Sequence, residues 1–589
     1  MTLELHQPQG PFLLRASAQS AAAELEEDEF RLDRLPSKTK EQFAKGADSW
    51  RDAVAAAIAG GIRDPDVLAD MIFFMRHPER MKAGVGRALG AGEADFVRLR
   101  AEWNLCRTIA TGLQGSIVRP GVFLPANPSG DYEDYVAAPT TGLITLLLNG
   151  RSQGGPGPPD NAEAFNAMQE SVEALGRGDS ILLANWQFTP TATSLTKKRP
   201  HMSTWGELLK SKAEQGVEIR VIISDLPTAD FRTDLVALDQ LIGSLPSSAC
   251  DNFKYIMSRH PGFGVVHHQK LMVVRKGCGE TIAYCGGLDI SFRRNPLDWT
   301  KTFRWHDIHA KLEGLIARDL EREFVLRWNR EKSTAAKLPG WAAFKKLGLS
   351  RLDSRDRAAA KNTHKLQMLR TVSLSAGNIR RDDIWQGYFR LIACATRFIF
   401  LENQYFHEPA LADAIVLQAQ ARPELIVIVV VSSRTDDPDN AYTEHCRALR
   451  SEFFDRLFAG LPADRRRVYT MPMPLVHSKL ALADDQFLTI GSANANPRGF
   501  FLDTELNVML DDTVVVTSFR QRLWAHDLGT SPSSVAAWTI SDFIAQWDRV
   551  AKANNGLKNP DQMLGEGVIP FDPRSTKDKK HSFIPDVMC

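Results

Sequence analysis

The sequence carries one short pattern twice, and that repeat constrains the chain more than any other feature. Residues 475–510 read LVHSKLALADDQFLTIGSANANPRGFFLDTELNVML. His477 and Lys479 are two apart, Asp484 follows after four more residues, and Gly491-Ser492-Ala493-Asn494 follows after another six. Leu480 and Leu482, then Phe487, Leu488 and Ile490, predict two short strands around an Asp-Asp-Gln turn. Alternate residues of a strand share a face. His477 and Lys479 therefore project together, and Asn494 reaches the same place from the next strand. The earlier copy is Val266-His267-His268-Gln269-Lys270-Leu271-Met272-Val273-Val274, then Ile282 to Asp289 ending in Gly-Gly-x-Asp. It departs in one place: Arg275 stands where the second copy has Asp484, and its turn is longer. His267 neighbours His268 on the opposite strand face and is read as structural.

The surroundings repeat with the motif. SILLANWQF matches RFIFLENQYF in place, VEIRVIISD matches ELIVIVVVSSR, and each motif is followed by a helical stretch. Strand, helix, strand predicts a mostly parallel sheet with helices on its faces. An internal duplication of that unit predicts a pseudo-twofold α/β core with a site at the seam. The resulting division is a helical module over 1–139, a first half over 140–330, and a basic, polar connector over 331–364. A second half follows over 365–545, and a Lys- and Pro-containing tail over 546–589 is expected at the surface or mobile. In the module, His77 and Arg80 follow an apolar stripe and are read as a helix end.

An imidazole, an ammonium, a hydroxyl and an amide converging on a point can hold a phosphate. A lone His-x-Lys is common and usually structural. The full spacing, present twice, is far more specific. Cleaving a phosphodiester needs a nucleophile, an acid for the leaving oxygen, and positive charge at the non-bridging oxygens. Two histidines in different protonation states supply the first two roles. Lys270 and Lys479 supply the charge, and Ser492 and Asn494 add neutral donors.

Other classes are disfavoured by composition. The 589 residues have 43% hydrophobic and 24% charged content and a net charge near +1, which describes a globular chain without a global basic field for nucleic acid. No run approaches a spanning helix. The start MTLELHQPQGPFLLRASAQS lacks a basic segment and an apolar core, so no Sec signal peptide is expected. The seven cysteines are scattered, odd in number and without Cys-x-x-Cys, so free thiols are expected, including Cys278 and Cys285 across a hairpin. No cofactor motif or metal-ligand set is visible; His306 and His309 have a helix-like spacing, explained better by a strand-to-helix block with one working carboxylate, Asp307.

The paired motifs resemble the signature of the phospholipase D superfamily over roughly 140–545. Gln367-Met368-Leu369-Arg370-Thr371-Val372 and Leu401-Glu402-Asn403-Gln404-Tyr405-Phe406 look like blocks of phospholipase D enzymes proper, and Trp305 to His309 and Asp503-Thr504-Glu505 resemble blocks downstream of each motif. The resemblance implies two fused α/β/α sandwich halves, His268 as the phosphohistidine nucleophile and His477 as general acid. Asp484 is then structural and the loss of its counterpart at Arg275 tolerated. Asp307 and Glu505 are the candidates to orient the histidines, one carboxylate per half. The expected function is hydrolysis of membrane glycerophospholipids to phosphatidate, from the lipid surface, by a chain that can work as a monomer. Phosphatidyl transfer and a nuclease are alternatives within the superfamily. A non-catalytic lipid-binding protein is the alternative outside it, and the survival of His268 and Lys270 argues against decay. The extra helical module and missing Sec signal are similar to antibacterial lipase effectors of type VI secretion, with a secretion apparatus or an immunity protein as partner.

Overall fold

The computed structural model describes residues 50–77, 93–113, 121–127, 132–149, 162–196, 199–224, 229–258, 265–291, 305–335, 364–375, 378–433, 440–472 and 475–557, and most of 562–589. In the first half, the amphipathic helix Glu163–Glu173 buries Phe165, Met168 and Val172 at helical spacing. Behind it Ser180–Asn185, Glu218–Ser224 and Phe253–Ser258 run parallel. The largely apolar runs of the first two suit strands covered on both faces, while Phe253–Ser258, at the edge, is only partly buried. The motif hairpin Leu271–Arg275 and Thr281–Gly286 joins this set antiparallel, followed by Trp305–Gly314 and then Thr140–Asn149.

The second half repeats this order strand for strand. From the seam outward it runs His364–Ser375, Glu505–Asp511, Phe487–Gly491, Lys479–Ala483, Phe398–Asn403, Ile426–Val431 and Arg466–Thr470. Thr140–Asn149 pairs antiparallel with His364–Ser375, so the two sheets are continuous. The protein is an α/β fold of two fused, pseudo-twofold related halves. Apolar side chains from both halves, among them Leu146, Leu182, Val273, Phe400, Ile428 and Leu480, share one core. The block at Gln367–Val372 pins the seam: Gln367 bonds the backbone of Leu124 and Ala137, and buried Arg370 donates to Glu323 at 2.9 Å and to the Tyr132 carbonyl.

The helices Trp50–Ala59, Pro65–Arg76 and Glu93–Leu113 pack on the second half and share its core. Arg98 bonds Glu408 (2.6 and 3.0 Å) and Arg100 pairs with Asp382 at 3.0 Å. His77 ends its helix and lies 2.9 Å from Glu102. Burial opposes ionisation of Glu102, yet His77 and Arg76 hold its carboxyl down at about 2. Arg80, and residues 21–30 of the expected first helix, lie outside the described residues.

Three features differ from expectation. Cys446 and Cys589 form a disulfide across 143 residues of sequence, a correction to the expected free thiols; no spacing rule connects positions so far apart. Cys278 and Cys285 are unbridged. The helix Ile540–Asn554 runs across residue 545, and its Phe543, Trp547 and Val550 enter the shared core because they recur at helical spacing. Residues 305–314 form a strand throughout, so His306 and His309 face opposite sides.

Asp484 is built into the second half. Its carboxylate accepts from the Thr396 amide and hydroxyl (both 2.6 Å), the Arg397 amide (2.7 Å) and the Phe398 amide (3.0 Å). Asp484 and Asp485 both have positive φ, which Asp tolerates better than most residues. In the first half the joint is made the other way round. Asp179, at the start of the neighbouring strand, accepts from the amides of Gly277 (2.7 Å) and Gly176 (2.8 Å), while Arg275 turns to Glu321 at 2.9 Å. Asp484→Ala is expected to lower stability by about 2–4 kcal/mol by orphaning the buried Phe398 amide and the part-buried amides of Thr396 and Arg397. Urea unfolding checks this. An activity as low as that of His268→Ala in the remaining folded protein would contradict a structural role.

Candidate active site

The two motifs meet by exchanging backbone across the seam. Leu475–Val476 pairs in parallel with Trp305–His306, and His267 bridges Thr504 in the corresponding place. The His268 amide donates to the Thr504 carbonyl at 2.9 Å, and the His477 amide to the His306 carbonyl at 2.8 Å. Each motif histidine is therefore docked one residue before the carboxylate of the other half.

The side chains repeat the exchange. His268 Nδ1 lies 2.8 Å from Glu505 Oε1, and His477 Nδ1 lies 2.6 Å from Asp307 Oδ2. Sequence reasoning assigned one carboxylate to each half; the structure pairs each histidine with the carboxylate of the opposite half. With Nδ1 held, Nε2 is the ring nitrogen left for chemistry. Local sequence accommodates the two carboxylates differently. A Cβ on Gly287 would sit 2.0 Å from Asp307 Oδ1, so the first motif has glycine where the second has Ser492. The Ser492 hydroxyl donates to Glu505 Oε2 at 2.5 Å and accepts from the Leu506 amide at 3.0 Å. Ser492, expected to hold phosphate, is thus committed to Glu505.

Lys270 and Lys479 are fully buried. Lys270 Nζ donates to the His268 carbonyl at 2.8 Å, lies 3.4 Å from Asp289 Oδ2, and sits 5.8 Å from the centre of the Trp186 ring. Lys479 Nζ donates to the His477 carbonyl and reaches Gln404 Oε1 at 3.5 Å. His268 and His477 both line one cleft of about 290 Å³, together with Trp186, Gln404, Asn494 and Glu505. Sequence reasoning missed Asp289, Trp186 and Gln404. The signal was present: Trp186 and Gln404 hold equivalent places in the matched strands NWQF and NQYF, and Asp289 holds the place of Asn494.

Burial pushes Glu505 well up, against the opposing pull of Lys270 and the Ser492 hydroxyl. Burial pushes His309 down to about 3, with Lys270 adding to the effect, so it is a neutral packing residue. Behind the site, His306 Nε2 lies 2.9 Å from Glu402 Oε1, 3.7 Å from Asp527 Oδ1, and its Nδ1 3.9 Å from Glu566 Oε2. Ser478, between His477 and Lys479, donates to Glu402. Donor atoms of His306, Glu402 and Asp527, and of His306, His526 and Glu566, lie within 4.8 Å of one another; among the described residues these sets are where a cation could sit. His306 can itself supply the positive charge. Burial alone would lower its pKa, but Glu402, Asp527 and Glu566 raise it to about 10.

Two outcomes are expected. Asp307→Asn, close to isosteric, should keep the fold and lower kcat by roughly 10²–10⁴ through loss of the tautomer and charge that Asp307 imposes on His477, as single-turnover rates and circular dichroism would show. Because the folded value of His306 lies above the ordinary 6.5, its stabilising charge is present in full below about pH 6.5 and lost as pH rises towards 10. Urea midpoints should fall over that range, and fall less in His306→Gln.

Comparison with known proteins follows the same lines. A family profile described as "Cardiolipin synthase, PLD-like domain" matches residues 388–526, and one described as "Phospholipase D" matches 297–411. The first His-x-Lys lies outside both, so its equivalence rests on the internal repeat. A cardiolipin synthase of Clostridium perfringens is 23% identical over 324 residues, 54% of this chain and 60% of that protein. Phospholipase D A of Dictyostelium discoideum is 26% identical over 485 residues, 63% of this chain and 35% of that protein. The solved phosphatidylserine synthase of Haemophilus influenzae Rd KW20 overlays with a TM-score of 0.46 at 13% identity, covering 70% of this chain and 95% of that one. The chain spans about 60% of the length of the cardiolipin synthase it matches. With two His-x-Lys hairpins joined across one seam and these two family profiles and sequence relatives beside them, the chain belongs to the phospholipase D superfamily.

Proposed function

We propose that the chain is a phospholipase D that cleaves the distal phosphodiester of membrane glycerophospholipids through a phosphohistidine on His268. The observation that carries this reading is the reciprocal pair His268–Glu505 and His477–Asp307 on one cleft. Nε2 of His268 attacks phosphorus, and the bond to the headgroup oxygen breaks as His477 delivers a proton to it. Lys270, Lys479 and Asn494 face the charge on the phosphoryl oxygens. Water, deprotonated by His477, then displaces His268 and releases phosphatidate. The lysines are already fixed to the carbonyls of their own histidines, so little reorganisation is required in the transition state.

A second reading is phosphatidyl transfer, in which an alcohol takes the place of water. It draws support from the cardiolipin synthases among the relatives. Both readings share one intermediate and differ only in the second nucleophile. Among the described residues no helix is long and apolar enough to cross a membrane, which suits contact with lipid from the surface. An antibacterial effector role, with delivery to a target membrane and an immunity partner, goes with this proposal. The Cys446–Cys589 disulfide favours work in an oxidising compartment.

Purified protein on mixed-headgroup vesicles, with and without glycerol, should release phosphatidate or a transphosphatidylation product detectable by mass spectrometry. His268→Ala should abolish both and leave no acid-labile phosphoprotein. His477→Ala should slow turnover by at least about a hundredfold. Absence of either product from every lipid, with cleavage of labelled DNA instead, would move the assignment to a nuclease.

A further inference from the structure

The cleft has a wall that the proposed chemistry does not use. Residues 586–589 lie against the start of the helix Ala441–Gly460 and the loop after the second motif. Cys589 is bonded to Cys446. The Met588 carbonyl accepts from the Tyr442 hydroxyl at 2.8 Å and from Arg498 Nη1 at 3.3 Å. Asn496 Nδ2 donates to the Cys589 carbonyl, and His445 Nε2 lies 3.0 Å from Asp586 Oδ1. Cys589, Cys446, Tyr442 and Asn496 line the same cleft as His268 and His477.

We infer that the disulfide-held segment Asp586–Cys589 is the wall that determines which alcohol the cleft admits, as the leaving headgroup or the entering acceptor. This inference rests on the phospholipase D chemistry proposed above. Three observations carry it. The cleft beside the segment carries polar side chains, Thr443, Arg447 and Asn496 among them, with which a hydroxylated or amine-bearing headgroup can hydrogen-bond. The cleft, at about 290 Å³, is at the small end for a ligand site, so displacement of one wall changes the size it accepts. The segment is held by hydrogen bonds and one covalent link more than by apolar packing. Among the described residues, its apolar cluster joins Cys589 to Cys446, Leu449 and a partly buried Tyr442. Ordering one residue costs about 1–2 kcal/mol, so the covalent link across 143 residues is the dominant restraint. A dithiol would open the wall by taking up the bond: two thiols form on the protein and the dithiol becomes a disulfide.

The test compares oxidised wild type, wild type treated with dithiothreitol, and Cys446→Ser. Substrates are vesicles of phosphatidylethanolamine, phosphatidylglycerol or phosphatidylcholine, and soluble bis(p-nitrophenyl) phosphate. Alkylation of denatured, unreduced protein should label five of the seven cysteines. Opening the wall should change the kcat/KM ratio between the largest and smallest headgroup by about tenfold, with turnover of the soluble diester within about twofold. Labelling of all seven cysteines, an unchanged ratio, or an equal change on every substrate would overturn the inference. Absence of turnover on any substrate before reduction would instead overturn the phospholipase D reading, and this inference with it.

Discussion

The structure depends on one constraint: each half completes the other's histidine. Two bonds cross the seam at each motif, one from the histidine amide and one at its Nδ1. A histidine held at both ends cannot rotate independently of the opposite half. That coupling makes the duplicated sequence a single functional unit. His477 and Asp307 are themselves buried, where their interaction is stronger than it would be in water.

The pseudo-symmetry is maintained in geometry more strictly than in residue type. Gly287 replaces Ser492 because the Asp307 carboxylate occupies the space a side chain would need. Asp179 replaces Asp484 from the other side of the same joint, leaving Arg275 for Glu321. Trp186 and Gln404 approach the two lysines from equivalent strands, one with a π face and one with an amide oxygen. Such differences leave the two histidines in distinct surroundings, with Glu505 bonded by a serine hydroxyl and Asp307 against a bare glycine. Two chemically identical groups can then take the unlike roles of nucleophile and acid.

Much of this was legible in the chain. Period-two alternation around His-x-Lys located both hairpins, and the matched order of strands and helices located the seam. Asp307 and Glu505 were singled out because they lie in blocks downstream of each motif that resemble those of the superfamily. Their partners were not found, because crossing between halves leaves no mark on local spacing. The Ser492–Glu505 bond lies within one half and was missed for another reason: a serine in a phosphate-binding pattern has the same letters whether it faces phosphate or a carboxylate. The disulfide was invisible because 143 residues separate its cysteines.

The sequence by itself determined the duplication, the fold class and the identity of the paired histidines and lysines, since periodicity and motif spacing are local properties of the chain. Only the tertiary structure decided which carboxylate serves which histidine, which hydroxyl is already engaged, and which distant segment closes the cleft. The first is a contact across the seam and the others join residues that packing within the second half and its tail brings together, so their geometry exists only in the folded chain.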